Sequence, residues 1–505
     1  MMATNFETYL ACRRRAAVVL ACCLTLLAGC AVGPDYMRPA SAPPLAYTSG
    51  PATLAASTDS ADAQFQSLAI GQDIPAQWWE LFQSKELNAL IAASLQHNPS
   101  VDAAQAAMRG ALESVSAQQG SFYPTVNASF SPSRQKVAGV LASPLAANSY
   151  YYNLHTAQVS VTYAPDLWGG NRRQVESLKA QAESQRYQVV ATRLTLTANV
   201  TNAAIQEASI RGQIAATRQI IAGQTRVLDM LRKQLALGQV AESDVAAQEA
   251  ALAAAQLAQP QLEKQLAQQR NLLTTLAGRL PAESIDASFE LADLQLPATL
   301  PLTLPSTLVE RRPDVRAAEA LLHAASADIG VALANRLPNI TLGVNAYGSS
   351  ANSLSDLFKS GTGFWTLAGN VTQPIFDGGA LKHRQGVAQA AYEQTAAQYR
   401  ATVINAFQNV ADALQGIHYD AVAMRAASDA ERAADRSLSI ARRQLALGDI
   451  SPMSLLGIEQ TYQQAKLNLV QAQANRLADT VALLLALGGG AWHETGSERA
   501  LNGKM

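Results

Sequence analysis

Landmarks in the first half of the chain recur in the same order about 210 residues later. Four pairs are separated by between 209 and 214 residues: Pro99 and Pro313, Pro124 and Pro338, Pro165 and Pro374, Leu235 and Leu445. Short segments recur with them, so that APDLWGG in the first half corresponds to QPIFDGG in the second. Accidents of composition do not keep order and spacing together, so the chain is predicted to be a tandem duplication. Each copy must then form the same kind of unit.

Each copy contains two stretches in which apolar residues alternate with small or polar ones. They are Tyr123–Arg134 and His155–Trp168 in the first copy, and Leu337–Gly348 and Trp365–Phe376 in the second. Alternation predicts β-strands, and the aromatic residues at their ends are typical of strands that cross a membrane. A soluble sandwich with an aromatic core is the alternative. The sequence therefore predicts four strands in two hairpins.

Four strands are too few to close a barrel, because about eight is the smallest number known. Two copies of the chain would supply eight strands around an interior filled by side chains. Three copies would supply twelve strands and leave a passage. We therefore expect a homotrimer with a shared 12-stranded barrel.

A long helical stretch follows each strand pair. Asn171–Leu237 has no proline, and as one helix it would extend on the order of 100 Å at ~1.5 Å per residue. A return helix is predicted over Ala241–Ala277, with a kink or break at Pro260. The corresponding helices of the second copy are Ala380–Leu447 and Pro452–Leu487. Apolar and polar residues spaced alternately by four and three predict a coiled-coil seam; they are Ile210, Ile214, Thr217, Ile221, Gln224, Leu228, Leu231 and Leu235.

The sequence QLALG ends the first long helix of each copy. Gly238 and Gly448 are predicted to be C-terminal caps, after which the chain turns back. Capping explains the glycines, but it does not explain why leucines recur at two exposed helix tips.

The first thirty residues have the layout of a secretory signal. Three arginines precede an apolar run, Ala16–Ala28, that is too short to span a bilayer comfortably. Leu27 to Cys30 resembles a bacterial lipobox, in which Cys30 receives lipid; an unmodified protein with a free thiol is the alternative. The residue after Cys30 is Ala31, a pattern similar to lipoproteins sorted to the outer membrane. After the leader we expect no transmembrane helix.

The sequence lacks motifs that indicate a catalytic or cofactor-binding site. The six histidines have no metal-ligand spacing, and no glycine loop is suited to phosphate. The formal net charge of −1 does not favour nucleic acid as a partner. We expect neither catalysis nor a cofactor.

Taken together, the lipobox followed by AVGPDYMRP, the two hairpin-plus-helix units, LALG at both tips and ALGGG at Ala486–Gly490 resemble the outer-membrane efflux protein family. These are the TolC-like exit ducts, and the lipobox is similar to that of the OprM-like and NodT-like lipoprotein branch. The resemblance covers nearly all of the chain after the leader. It implies an α+β, mainly helical fold, in which a trimer joins an outer-membrane β-barrel to a periplasmic α-barrel.

The resemblance also implies partners and a function. Such ducts work passively with a periplasmic adaptor (membrane fusion) protein and an inner-membrane pump, here expected to be of the RND type, to expel drugs or other small toxic compounds. The adaptor is expected to contact the helix tips, which are Leu235, Ala236, Leu237, Gly238, Leu445, Ala446, Leu447 and Gly448. The alternatives are a duct for secreted polypeptides and a non-conducting trimeric surface lipoprotein.

Family members close the periplasmic end with a constriction just beyond the tips, often lined by aspartates. Asp244 fits this pattern in the first copy. In the second copy the corresponding positions are Ser454 and Gly457, and Met453 lies where a relative carries an apolar gate residue. Serine and glycine cannot form an acidic ring, so Met453 either contributes an apolar closure or packs on a neighbouring helix.

These features divide the chain into six predicted segments. They are a signal peptide (1–29), a lipidated N-terminal and equatorial segment (30–97), a first repeat (98–280), a proline-rich connector (281–305), a second repeat (306–490) and a tail (491–505).

Overall fold

The computed structural model describes residues 31–39, 47, 66–138, 140 and 150–490. Within these residues lie eight α-helices and six β-strands. In chain order they are β1 (Ser67–Ile70), α1 (Lys85–His97), α2 (Pro99–Gln119), β2 (Thr125–Lys136), β3 (Tyr151–Tyr163), α3 (Gly170–Ala236), α4 (Glu242–Leu276), β4 (Thr299–Leu302), α5 (Pro305–Arg311), α6 (Pro313–Ala334), β5 (Asn339–Ala351), β6 (Gly363–Thr372), α7 (Ala380–Leu447) and α8 (Pro452–Ala486). The mainly helical α+β class is as predicted.

The chain divides into two compact units, and each unit takes residues from both copies of the duplication. The first consists of Met1–Pro39, Met108–Ser184 and Ala318–Gln398. The second consists of Ala40–Ala107, Gln185–Ala317 and Tyr399–Met505. The six segments drawn from the duplication remain a prediction.

The first unit contains an antiparallel sheet of four strands in the order β2-β3-β5-β6. Tyr163 in β3 lies opposite Leu342 in β5, so the hairpins of the two copies pair directly. Every residue of the edge strands β2 and β6 is exposed in the single chain. The predicted four strands in two hairpins are confirmed.

The predicted strand ends differ from the observed ones by as much as five residues, at the end of β3. This strand ends at Tyr163 rather than Trp168, because Pro165 has no N–H for the ladder. Asp166 precedes α3, and its carboxylate accepts hydrogen bonds at the start of the helix from the backbone N–H groups of Asn171 (3.0 Å) and Arg172 (2.9 Å). In the second copy Asp377 accepts in the same way at the start of α7.

The second unit contains the predicted coiled-coil seam of α3. Six of its eight residues are buried, including the polar Thr217 and Gln224, and Ile221 and Leu235 are half-buried. The seam is therefore confirmed. Its polar members are accommodated inside the helical packing rather than turned to solvent.

Two helix junctions in the second unit recur with the duplication. Asn98 donates from Nδ2 to the carbonyl of Leu276 at the end of α4 (2.9 Å), while its Oδ1 accepts from the N–H of Ser100 in α2 (2.9 Å). In the second copy Arg312 donates from Nη1 to the carbonyl of Ala486 at the end of α8 (2.7 Å). In each copy one side chain thus joins the end of the return helix to the start of another helix. It also donates a hydrogen bond to a backbone carbonyl that the helix end would leave unpaired.

The sequence predicted a kink or a break at Pro260, and the break is wrong, because α4 continues through this residue. Pro260 is exposed, so the carbonyl that its missing N–H would have bonded can be hydrated. We expected no transmembrane helix, and among the described residues one helix, α6, is long and apolar enough by length and composition to cross a membrane, although 61% of its most apolar window is buried as in a core helix. The two-stranded parallel sheet of β1 and β4 was not predicted.

Candidate functional site

Both helical hairpins end in the same turn. At the first tip the N–H of Gly238 donates to the carbonyl of Leu235 (2.9 Å), and Gln239 donates to Gln234 (2.9 Å). At the second tip Gly448 donates to Leu445 (3.1 Å) and Asp449 to Gln444 (2.9 Å). Gly238 and Gly448 have φ values of +73° and +81°, a conformation that glycine adopts most readily. The predicted C-terminal caps are confirmed.

The repeated leucines of each tip point in two directions. Leu445 is 8% exposed and Leu235 is half-buried, and both pack in one apolar cluster formed by the ends of α3, α4, α7 and α8. Leu237 and Leu447, two residues further on, are 73% and 77% exposed. Ala236 and Ala446 are also exposed. The first leucine of each LALG therefore packs inside the tip, whereas the second is exposed on its surface.

The two return helices begin with different capping arrangements. Ala241, which precedes α4, has no side-chain acceptor, and Asp244 reaches back to accept from the N–H of Ala241 (3.3 Å). At α8 the side chain of Ser451 accepts from the N–H of Ser454 (3.2 Å). Asp244 and Ser454, two residues of the predicted constriction, thus take part in local helix capping within the chain.

The remaining constriction residues face away from the packed interior of the chain. Met453 is 52% exposed, and a side chain at Gly457 would meet no atom within 4 Å. Neither residue belongs to the apolar cluster of the tips. Their roles in a constriction remain predictions.

An ion pair just behind the tips also recurs, and sequence reasoning missed it. Arg232 of α3 pairs with Glu249 of α4 (2.7 Å), and Arg442 of α7 pairs with Glu459 of α8 (3.1 Å). Both residues of the first pair recur 210 residues later, so the duplication itself carried the signal. The two pairs differ in environment, because the side chain of Glu249 is 49% exposed and that of Glu459 only 3%.

A charged cluster lies further along the second hairpin. Arg476 of α8 is 1% exposed and donates to the carbonyl of Ile417 in α7. Burial and the neighbouring Asp420 raise the pKa of Asp479 to about 6, against the opposing effect of the Arg476 charge. This carboxyl group can therefore change charge in a mildly acidic environment.

Cys30 lies outside the described residues, so its predicted lipidation is a prediction from sequence alone. Within the described ranges no group of three or more histidine, cysteine, aspartate or glutamate side chains is placed to hold a metal ion.

Comparison with known proteins bears directly on the family. The model of the outer membrane efflux protein family matches residues 90–279 and 304–489. A Pseudomonas putida relative, the pyoverdine export outer membrane protein OpmQ, is 31% identical over 428 residues, which cover 83% of this chain and 89% of the relative. The probable efflux pump outer membrane protein TtgC of the same species is 29% identical over 473 residues, which cover 93% of this chain and 95% of TtgC.

A solved structure shares the fold. The Campylobacter jejuni CmeC outer membrane channel matches 94% of this chain and 98% of its own length with a TM-score of 0.83, at 21% identity. The family match spans most of both copies of the duplication. The chain therefore belongs to the outer membrane efflux protein family.

Proposed function

We propose that this chain is the outer-membrane exit duct of a tripartite efflux pump, and that it passively conducts drugs or other small toxic compounds out of the cell. The observation that carries the proposal is the family match over both copies of the duplication. The names of the relatives, one a pyoverdine exporter and one a probable efflux pump component, agree with it. Because the duct is passive, neither catalysis nor a cofactor is required.

We infer that three chains share one barrel of twelve strands. The support is the sheet of the first unit, whose edge strands β2 and β6 are exposed at every residue. Unpaired strand edges require another strand or a cover, and among β-sheets only a closed barrel satisfies all backbone groups within lipid. Pairing β6 of one chain with β2 of the next would remove every edge.

The helix tips are the proposed contact with the periplasmic adaptor, behind which an inner-membrane pump, expected to be of the RND type, would supply the energy. The support is the pair of exposed leucines, Leu237 and Leu447, at the ends of both hairpins. Exposed apolar side chains at equivalent positions suit a partner that makes the same contact with both tips. Of the eight tip residues, these two are proposed to contribute most of the binding energy.

The N-terminus is proposed to be anchored in the outer membrane by lipid on Cys30. The constriction is proposed to consist of Asp244 together with Met453, Ser454 and Gly457. Exposure of Met453 and of the Gly457 backbone agrees with positions that meet other chains rather than the interior of their own.

The test is complementation of a strain that lacks the gene. Loss of the protein should raise sensitivity to pump substrates and the accumulation of a fluorescent substrate, and the wild-type chain should reverse both effects. The double variant Leu237→Asp/Leu447→Asp should fail to reverse them, because a carboxylate at each tip would cost ~2 kcal/mol or more of adaptor binding. Leu257→Asp is the matched control, since Leu257 is 77% exposed on α4 but lies away from the tip.

Each alternative predicts a different result in the same strain. A duct for polypeptides would leave small-molecule sensitivity unchanged and remove a polypeptide from the medium. A structural lipoprotein would change neither, and the purified protein would show no conductance in planar bilayers. Equal complementation by the tip double variant and the Leu257→Asp control would overturn the assignment of the adaptor contact.

A further inference from the structure

The segment Ala31–Pro39, which we name the N-terminal clasp, lies in the first unit and contacts the first copy of the duplication. The N–H of Val32 donates to the carbonyl of Trp168 (3.0 Å). Arg173, whose side chain is only 7% exposed, donates from Nη2 to Asp35 (2.6 Å) and from Nε to the carbonyl of Val32 (3.3 Å). Backbone and side-chain groups of the clasp are thus bound at the start of α3.

The same nine residues also contact the second copy. Arg38 pairs with Glu319 of α6 (2.9 Å), and the ring of Tyr36 stacks on His323 with centroids 4.4 Å apart and planes 17° apart. Glu319 and His323 are four residues apart, so they lie on one face of α6. The clasp therefore runs along this helix while its first residues are held at α3.

Two glycines allow the clasp to approach α6 closely. A Cβ at Gly33 would lie 2.5 Å from the Cα of Gly330, and Gly33 has a φ of +102°. A Cβ at Gly330 would lie 2.8 Å from Cγ of Arg173. The positive φ and the short distance favour glycine at position 33, whereas at position 330 the short distance alone does so.

Charge links the two sides of this contact. His323 of α6 lies 2.9 Å from Glu176 of α3, and Glu176 in turn pairs with Arg173 (2.8 Å). Although burial opposes it, hydrogen bonds from His323 and Arg173 lower the pKa of Glu176. The binding surface of the clasp is consequently a set of groups from both copies that already contact one another.

We propose that Ala31–Pro39 is a clasp whose docking is coupled to the packing of α3 on α6, and that it ties this N-terminal segment to both copies of the duplication. Neither helix alone offers the complete surface, because α3 supplies Arg173 and α6 supplies Glu319, His323 and Gly330. Docking of the clasp therefore stabilises the packing of α3 on α6, and loss of its contacts with one helix weakens its hold on both.

Hydrogen exchange of the full-length protein in lipid nanodiscs tests the proposal. The wild-type clasp should be protected, with the Val32 amide the slowest to exchange among its residues. Tyr36→Ala/Arg38→Ala should speed exchange of the clasp and of α6 residues 319–330 by about tenfold, because the stacked ring and the ion pair to α6 are lost. The matched control is Met37→Ala, since Met37 lies between these two residues but is 83% exposed.

A second variant changes the α6 side of the same contact. Glu319→Gln keeps the shape of the side chain and removes its charge, so it should speed exchange at residues 31–39 although it alters no clasp residue. Unchanged clasp exchange in both variants, or the same acceleration in Met37→Ala, would overturn the proposal. Efflux complementation is measured in parallel, and its failure with a protected clasp would count against the proposed function alone.

Discussion

The ion pairs behind the two tips provide a natural comparison, because the same residues at the same spacing are buried to different degrees. We predict that Arg442→Ala destabilises its hairpin far more than Arg232→Ala. Glu459 is 3% exposed, and its Oε2 has no hydrogen-bond partner among the described residues, so Arg442 supplies its principal compensating charge. Glu249 is 49% exposed and would simply be hydrated after loss of Arg232.

The magnitudes follow from burial. Removing one partner of a buried ion pair leaves an uncompensated charge and costs about 3 kcal/mol, the low end of the usual range, since Arg442 itself is 48% exposed. An exposed pair contributes about 0.5 kcal/mol. The difference of ~2.5 kcal/mol corresponds to roughly a 70-fold larger opening constant for the second hairpin.

Hydrogen exchange of the intact protein measures these openings separately. Peptides from residues 438–460 should exchange much faster in Arg442→Ala, whereas peptides from 228–250 should change little in Arg232→Ala. The double variant Arg442→Ala/Glu459→Gln should recover most of the protection, because a neutral amide is less costly to bury than a carboxylate. Equal effects of the two arginine variants, or no recovery in the double variant, would refute the reasoning from burial.

Two further predictions concern the same helices. Leu445→Ala should destabilise the second tip by ~2–4 kcal/mol through loss of a buried side chain, whereas Leu447→Ala should change its stability by no more than ~0.5 kcal/mol. Hydrogen exchange at residues 438–460 measures both effects. Equal losses of stability would contradict the opposite orientations of the two leucines. Because the pKa of Asp479 is raised to about 6, its stabilising protonated form is fully present below the ordinary value of 3.8 and is lost as the pH rises through about 6. The α7–α8 hairpin should therefore show larger protection factors, in which exchange is corrected for the intrinsic rate at each pH, at pH 5 than at pH 7. Asp479→Asn should remove that difference in protection, and an unchanged pH profile in the variant would contradict the prediction.

The long helices could be predicted from the sequence because proline and glycine mark their ends. Helix α7 begins and ends at the predicted residues, Ala380 and Leu447, and α8 begins at Pro452 as predicted. Because the chain is a duplication, each helix boundary in the first copy has a counterpart in the second. The predicted strand ends were less accurate, because the alternation of apolar and polar residues continues beyond the residues that pair. At the end of β3, a proline without a donor N–H stops the hydrogen-bond ladder.

Contacts between distant residues could not be predicted from local patterns. Strand β1 pairs with β4 more than two hundred residues later, and neither segment carries a clear alternation. Pro99 and Pro313 mark the duplication in the sequence, but the function of the residues before them, Asn98 and Arg312, as helix junctions depends on where α4 and α8 end in space. The contacts of the clasp cannot be predicted from its own sequence, because its partners come from both copies.

At the candidate site, the sequence indicated which residues form the tips, and at the first tip it also indicated which leucine packs inward. The predicted seam of α3 ends at Leu235 and does not include Leu237, in agreement with the packing of Leu235 in the cluster and the exposure of Leu237. Leu445 and Leu447 have the same two orientations in the second copy. The seam was predicted only for α3, so the orientation at the second tip follows from the duplication rather than from a separate pattern.

The opposite orientations of neighbouring leucines have an evolutionary consequence. Substitutions at Leu237 and Leu447 remove almost nothing from the interior of the chain, so they are close to neutral for folding. In the proposed adaptor contact, these two positions can therefore change with the partner while Leu235 and Leu445 stay under selection for packing. Because the tip is duplicated, substitutions in one copy can alter the proposed contact while the other copy keeps the original one.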